Sequence, residues 1–339
     1  MTQYKVVIVG ASGAVGQEIL NVMEERNFPV GELKLCATSR SAGKEMFFKG
    51  QSYTVEETTP ASFDGMDIAL FAGGAASQEF GPLAAEKGVV VIDNSSHFRL
   101  DPAVPLVVPE VNPEDVKMHQ GIIANPNCST IIMVVPLKAI YDAAGVKRVV
   151  VSTYQAVSGA GAEGIDELTE HARAALDGRE VVPVKFQYQI AFNLIPHIDV
   201  FQEMDYTKEE WKMVKETRKI MHDDNLAITA TTVRVPVYRS HAESINVETE
   251  RKITAGQARE VLGQFPGVIV EDDPVNKKYP MPLFTSGRDE VFVGRVREDN
   301  TLANGLNMWV VSDQLRKGAA TNAVQIAELV IKYGCLGKR

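Results

Sequence analysis

Two domains, the first a doubly wound parallel α/β sheet and the second built on a mixed or antiparallel sheet, are predicted by three features of the sequence. Short apolar runs alternate with helix-like stretches from Lys5 to Asn125. A glycine-rich turn joins the first run to the first helical stretch. Beyond Val146 the texture changes to longer strands with period-two alternation. The predicted boundaries are 1–126 together with a returning C-terminal segment, 315–339, for the first domain, and 127–314 for the second.

In the first region the strands are Lys5–Val9, Leu33–Ala37, Ile68–Phe71, Val89–Ile92 and Ile122–Ala124, with helices at Ala14–Arg26 and Ala75–Lys87. In the second, strands are predicted at Arg148–Ala156, Ala227–Arg234, Glu243–Glu250, Val291–Arg297 and Leu306–Ser312, and a helix at Gly161–Leu176. Two further helices, Thr207–Met221 and Thr254–Gln264, open with Thr-x-x-Glu and Thr-x-x-Gln. In these capping boxes each end of the motif satisfies a free backbone N–H of the first turn. The Ala-rich stretch Arg316–Tyr333 reads as a last helix, of the kind that packs back on the first domain of a doubly wound protein.

Composition narrows the function. With 45% hydrophobic and 23% charged residues the 339-residue chain has ordinary globular content, and a net charge of −9 argues against nucleic acid as a partner. The N-terminus starts on a strand and no apolar run reaches membrane-spanning length, so neither a leader nor a membrane partner is expected. Cys36, Cys128 and Cys335 are odd in number and far apart, which suggests neither a disulfide framework nor a metal site and fits a reducing cytoplasm.

The turn Gly10, Ser12, Gly13, Ala14, Val15, Gly16 follows the first strand and opens the first helix. There the chain must turn tightly, admit a phosphate to the backbone and offer it the helix N-terminus, which is dinucleotide chemistry, although the spacing is GxxGxxG and not GxGxxG. No acid follows the second strand to hold a ribose 2′-hydroxyl; Thr38, Ser39, Arg40 and Ser41 stand there instead. A guanidinium among hydroxyls suits a 2′-phosphate, so NADP(H) is preferred over NAD, a solvated basic turn being the alternative.

Cys128 follows Asn125-Pro126-Asn127 and precedes the apolar run Ile131–Val135, which puts it near a helix N-terminus, where free N–H groups stabilise a thiolate. Cys36 and Cys335 read as inert packing. A thiolate nucleophile needs a proton-transfer partner, and histidine is matched to neutral pH. Of the six histidines, His241 lies at a junction of two predicted strands, whereas His97, His119, His171, His197 and His222 read as solvated or hydrogen-bonded side chains. Arg99, Lys212, Arg234 and Arg239 are each compatible with an anion site or with an ordinary surface charge.

GASGAVG at the N-terminus, NPNCST around Cys128, QAVSGAG from Gln155, EEWK from Glu209, RVPVYRSHAES from Arg234 and SDQLRKGAA near the end together resemble the aspartate-semialdehyde dehydrogenase family, its bacterial branch most of all. The resemblance covers essentially the whole chain. It implies a cytoplasmic homodimer in which each subunit joins a Rossmann-like domain to an α+β catalytic and dimerisation domain like that of glyceraldehyde-3-phosphate dehydrogenase. The implied reaction is NADPH-dependent reductive dephosphorylation of L-aspartyl 4-phosphate, on the route to lysine, threonine and methionine. It implies a thioacyl intermediate on Cys128, His241 as its proton-transfer partner and Gln155 orienting the intermediate. Arg234 would bind the substrate carboxylate and Glu209 its ammonium, with Lys212, Arg99 and Asn127 on the phosphate. Gly73, Ser158, Gly159 and Gln314 would complete the cofactor site. Three rival readings stand beside it, of which a cysteine–histidine hydrolase would leave the dinucleotide loop unexplained. A reductase of N-acetylglutamyl phosphate shares the mechanism but would carry a Gly-Cys-Tyr type motif and has no use for an acid facing a free ammonium. A non-catalytic NADP-binding redox sensor would not need Gln155, Arg234 and His241.

Overall fold

The computed structural model describes residues 2–337, so residues 1, 338 and 339 of the expected first domain lie outside the described residues. The chain divides into two compact units, one comprising Met1–Asn127 with Ala319–Arg339 and the other Cys128–Gly318.

The first unit runs β1 (Tyr4–Val9), α1 (Ala14–Glu25), β2 (Val30–Ala37), β3 (Glu45–Phe48), β4 (Gln51–Thr54), β5 (Glu56–Glu57), β6 (Ile68–Phe71), α2 (Ala75–Glu86), β7 (Val90–Asp93) and β8 (Ile122–Ala124). Six strands form one sheet in the order β5-β2-β1-β6-β7-β8, every pairing parallel, so the order reverses direction between β1 and β6. Such a sheet is buried on both faces. Val6 and Ile8 of β1 point into a core shared with Ile19 and Met23 of α1, while Val7 and Val9 point into the opposite core with Phe63, Phe71 and Ala84. The hairpin β3–β4 is separate and antiparallel.

The second unit runs α3 (Cys128–Ala144), β9 (Val146–Gln155), α4 (Ala162–Leu176), α5 (Lys208–Met221), β10 (Ala227–Arg234), β11 (His241–Thr249), α6 (Ala255–Gln264), β12 (Val268–Val270), α7 (Pro282–Thr285), β13 (Val291–Glu298) and β14 (Gly305–Ser312). Its six-stranded sheet has the order β10-β9-β11-β14-β13-β12 and is mixed: the outer pairs are parallel and the inner ones antiparallel. Along β11 the residues alternate, His241, Glu243, Ile245 and Val247 being buried while Ser244 on the other face is exposed. Helix α3 lies against β9, β11, β13 and β14. Ile131 to Val135 and Leu137 are completely buried, each contributing about 1.5–3 kcal/mol on transfer from water. Both capping boxes form: the Thr207 and Thr254 side chains accept from the backbone of Glu210 and Gln257.

The last helix, α8 (Thr321–Lys332), packs on α1 and β7 of the first unit. The expected helix Arg316–Tyr333 differs at its start, because Arg316–Ala320 form a π-helical turn before α8 begins. The short elements β3, β4, β5, β12 and α7 were not legible from periodicity.

Candidate active site

Backbone geometry builds the crevice of the first unit. Gly10 (φ 82°), Gly73 (φ 111°) and Gly74 (φ 90°) occupy the left-handed region that L side chains avoid. The Gly10 and Ala11 amides bond the Cys36 carbonyl at 2.8 and 3.0 Å, fixing the turn to β2. A Cβ on Gly16 would lie 2.3 Å from the Gly10 carbonyl oxygen, so only glycine permits the helix to start this close to the turn. The N-cap of α1, Gly13, has no side-chain cap, which leaves first-turn amides for an anion. Gly10, Thr38, Ser39, Glu57, Thr58 and Gly73 are among the residues lining a crevice of about 450 Å³.

The predicted dinucleotide residues therefore divide. Thr38 and Ser39 stand on the crevice wall. Arg40 and Ser41 lie in the 3₁₀ turn Ser39–Ser41 beside it, Arg40 exposed and outside the lining. Ser12, Ala14 and Val15 are half-buried around the turn. The sequence reading missed Glu57, which pairs with Ala37 across β2–β5 and brings a carboxylate to the same wall from a neighbouring strand.

Side chains build the second unit's site. Cys128 is the first residue of α3 and half-buried, at the end of the helix where the dipole favours a negative sulfur. A Cβ on Gly318 would lie 2.9 Å from the Cys128 Cβ and 3.4 Å from the Gln314 Cβ, so the π-helical turn packs closely on Cys128 because residue 318 has no side chain. Gln155, buried at the end of β9, donates from Nε2 to Ser129 Oγ at 2.5 Å and to Glu209 Oε1 at 3.0 Å, while its Oε1 has no partner. Glu209 and Lys212, three residues apart on α5, pair at 3.0 Å, and Lys212 also meets Asp199 at 3.0 Å. Burial pulls the Lys212 pKa down, but these two carboxylates outweigh it and leave the ammonium above its ordinary range.

Arg234, the last residue of β10, is buried and donates from Nη1 to the Ala156 carbonyl at 2.7 Å. Burial lowers its pKa, opposed by the negative charges of Glu209 and of the Cys128 thiolate, which places the sulfur within electrostatic reach of the guanidinium. His241, wholly buried at the start of β11, accepts the Ala156 N–H at Nδ1 over 3.1 Å. The neutral ring must then carry its proton on Nε2, and Nε2 has no partner. Burial first, and Arg234 second, push its pKa from 6.5 to about 3, with Glu209 opposing. Gly159 borders both groups: a Cβ there would lie 2.9 Å from Arg234 Nη1 and 3.3 Å from His241 Nε2. Gln314 accepts the Ser240 N–H at 2.8 Å and donates to Ser158, tying two of the predicted cofactor residues together.

Of the predicted residues, Cys128, Gln155, Ser158, Gly159, Glu209, Lys212, Arg234, His241 and Gln314 belong to the second unit and Arg99 and Asn127 to the first. Arg99 is buried, donating to the carbonyls of Asn125 at 2.9 Å and Asn94 at 2.8 Å. Arg239 pairs with the buried Asp313 and is no open anion site. His119 and His171 are hydrogen-bonded structural histidines. Ser129, Asp199 and Gly318 are contributors that sequence reasoning missed; Ser129 and Gly318 lie inside quoted motifs, while Asp199 left no trace. No helix among the described residues is long and apolar enough to cross a membrane.

A thiol at a helix start, a buried arginine and carboxylate in its unit, and a glycine-built dinucleotide crevice are the features of one class, the dinucleotide-dependent dehydrogenases that act on an aldehyde or acyl group through a cysteine. Residues 5–119 match the family model described as semialdehyde dehydrogenase, NAD binding domain, and residues 137–317 the model of the semialdehyde dehydrogenase dimerisation domain. An aspartate-semialdehyde dehydrogenase of Aquifex aeolicus is 62% identical over 98% of this chain and 99% of its own. The crystal structure of aspartate semialdehyde dehydrogenase II complexed with ASA from Vibrio cholerae superposes with a TM-score of 0.94 at 50% identity, covering 98% of this chain and 99% of that one. The Candida albicans enzyme, solved with NADP, has a TM-score of 0.73 at 25% identity, covering 97% and 99%. The chain belongs to the aspartate-semialdehyde dehydrogenase family.

Proposed function

We propose that the chain is a cytoplasmic, homodimeric enzyme that reduces L-aspartyl 4-phosphate to L-aspartate 4-semialdehyde and phosphate, in the biosynthesis of lysine, threonine and methionine, with NADPH as hydride donor. The observation that carries this reading is a chain of contacts around a helix-start cysteine: Arg234 lies within electrostatic reach of Cys128, Gln155 bonds the neighbouring Ser129 and Glu209, and Arg234 shares the Gly159 position with an imidazole whose Nε2–H has no partner.

The charges suit a zwitterionic acyl phosphate. Arg234 pairs with the α-carboxylate, Glu209 takes the α-ammonium, and Lys212 serves the phosphate; the resemblance adds Arg99 and Asn127 for that group. The Cys128 thiolate forms a bond to the acyl carbon as the carbon–oxygen bond to phosphate breaks, and the departing phosphate takes up a proton from solvent. The turn from Gly10 to Gly16 would hold the phosphates of a dinucleotide, with Thr38, Ser39, Arg40 and Ser41 around its adenosine ribose, and that cofactor would supply the hydride. Gly73, Ser158, Gly159 and Gln314 are assigned to the rest of the cofactor. As the carbon–sulfur bond breaks, the aldehyde is released and the thiolate returns.

His241 is the group whose protonation matters most. As a neutral ring it offers Nε2–H to the acyl oxygen, where negative charge develops, a stabilisation that grows in a dry site. To carry a proton it must lose the penalty that burial and Arg234 impose. A substrate carboxylate on Arg234 neutralises one of those two causes, so substrate binding is expected to raise the imidazole pKa from its value in the free enzyme.

Dimerisation is supported by the second unit's match to a dimerisation domain and by its exposed apolar residues Leu176, Val184, Phe192, Phe201 and Met204. Three free cysteines accord with a reducing compartment. The deciding assay measures oxidation of aspartate semialdehyde and of N-acetylglutamate semialdehyde with phosphate and each cofactor. Turnover of the first with NADP is expected; preference for the acetylated substrate, or no turnover of either, overturns the reading.

A further inference from the structure

Glu243 is a wholly buried ionisable group that this mechanism does not use, and neither of its carboxyl oxygens has a hydrogen-bond partner among the described residues. Glu243 follows His241 by two residues on β11, so both side chains leave the same face of the sheet. It faces Thr153 of β9 in register on one side and Val310 of β14 on the other, and Thr153 faces Thr232 of β10. Each of these three polar residues stands two positions before or after a residue of the site on its own strand: Thr232 before Arg234, Thr153 before Gln155, Glu243 after His241. Gln155 and His241 themselves lie one step beyond the paired Tyr154 and Ala242. The sheet thus carries two adjoining polar rows, the outer one chemical and the inner one without an assigned role.

The inner row is anomalous. Thr153, Thr232 and Glu243 are all fully buried, and the two hydroxyls and both carboxyl oxygens have no hydrogen-bond partner among the described residues. An unmet buried hydroxyl or carboxyl costs about 1–3 kcal/mol, and three neighbouring residues bearing that cost point to a shared partner. Side chains facing one another across a sheet stand about 5 Å apart at Cβ, a gap that one water closes with two or more hydrogen bonds.

We propose that Thr232, Thr153 and Glu243 bind internal water and form with it a hydrogen-bonded polar layer that positions Arg234, Gln155 and His241, Glu243 being a positioning residue for the reaction. Burial with no facing cation keeps the Glu243 carboxyl protonated far above its ordinary range, so it enters the layer as a donor as well as an acceptor. The inference rests on the function proposed above.

The test compares Glu243→Gln, which keeps the hydrogen bonds and the neutral charge, with Glu243→Leu, which removes them. Wild-type turnover is measured first, since its absence sinks the proposed function and not this layer. Glu243→Leu is expected to lower kcat about tenfold with KM for aspartate semialdehyde within about twofold, and Glu243→Gln to recover most of that loss. Should Glu243→Leu fail to fold, Thr153→Val replaces it, with a kcat loss of about threefold expected. Wild-type kcat in the apolar variant that folds, or a Gln variant no better than Leu, overturns the proposal. A high-resolution crystal structure gives a readout independent of activity: water density joining Glu243 to Thr153 supports the layer, and a dry row refutes it.

Discussion

The two units use their sheets in opposite ways. In the first, the strands β6 and β7 are buried along their whole length, β1 divides its valines and isoleucine between two apolar cores, and the chemistry is presented by the backbone: a glycine turn, a helix start and positive-φ positions beyond β6. In the second, the ends of β9, β10 and β11 bring Gln155, Arg234 and His241 together, and side chains present the chemistry. A backbone site tolerates most side-chain changes and fails when a Cβ is added. A side-chain site fails when a functional group is removed.

The largest expected effect follows in the second unit. Cys128→Ala should lower kcat at least about 10³-fold while the folded state and dinucleotide affinity persist, measured by steady-state kinetics, circular dichroism and cofactor titration. Retained turnover would mean that the sulfur is not the nucleophile.

Two glycine-to-alanine variants sharpen the contrast. Gly16→Ala meets backbone, the Gly10 carbonyl oxygen at 2.3 Å, and should cost about 1–3 kcal/mol in thermal or urea unfolding as well as raising KM for the dinucleotide. Gly159→Ala meets the side-chain ends of Arg234 and His241 and should leave stability nearly unchanged while reducing kcat/KM about tenfold. Equal loss of stability in both would erase the distinction between the units. A smaller effect is expected for Arg40→Ala, which should weaken NADP binding about fivefold and leave NAD unaffected in a direct titration. Equal weakening would remove Arg40 from the 2′-phosphate, and Glu57 on the same crevice wall would then become the residue to vary.

The smallest effects concern stability against pH, and the two buried titratable groups of β11 act in opposite directions. His241 has a lowered pKa, so its contribution is complete above about 6.5 and is lost as pH falls toward about 3, where the unfolded chain holds a proton that the folded chain refuses. Glu243 has a raised pKa, so its contribution is complete below about 4.5 and is lost as pH rises through its folded value. Glu243→Gln is therefore expected to gain stability relative to wild type as unfolding is followed from pH 5 to pH 8.5. A pH-independent difference would show that Glu243 titrates alike in the folded and unfolded chain.

What the sequence disclosed follows from how local each determinant is. The capping boxes at Thr207 and Thr254 are closed by residues three apart, and they were legible as spacing. The parallel strands announced themselves because two buried faces require unbroken apolar runs. The hairpin β3–β4 has strands of only four residues, and β12 is three residues long, so neither carries a period. At the site, motif strings identified Cys128 and His241, but their surroundings depend on register across β9, β10 and β11, which spacing does not encode. Gly318 was visible as a letter and not as a necessity, since its reason is the closeness of a π-helical turn to Cys128. Glu243 looked like an ordinary alternating residue of a strand until its burial and its neighbours Thr153 and Val310 were known.

The account rests on a bond between the Cys128 sulfur and the substrate's acyl carbon, and mass spectrometry of the quenched enzyme reads that bond directly. With aspartate semialdehyde and NADP but no phosphate, an aspartyl adduct should accumulate on the Cys128 peptide, disappear when phosphate is added, and be absent from Cys128→Ala. An unmodified Cys128 during turnover, or an adduct on another residue that phosphate discharges, would contradict it.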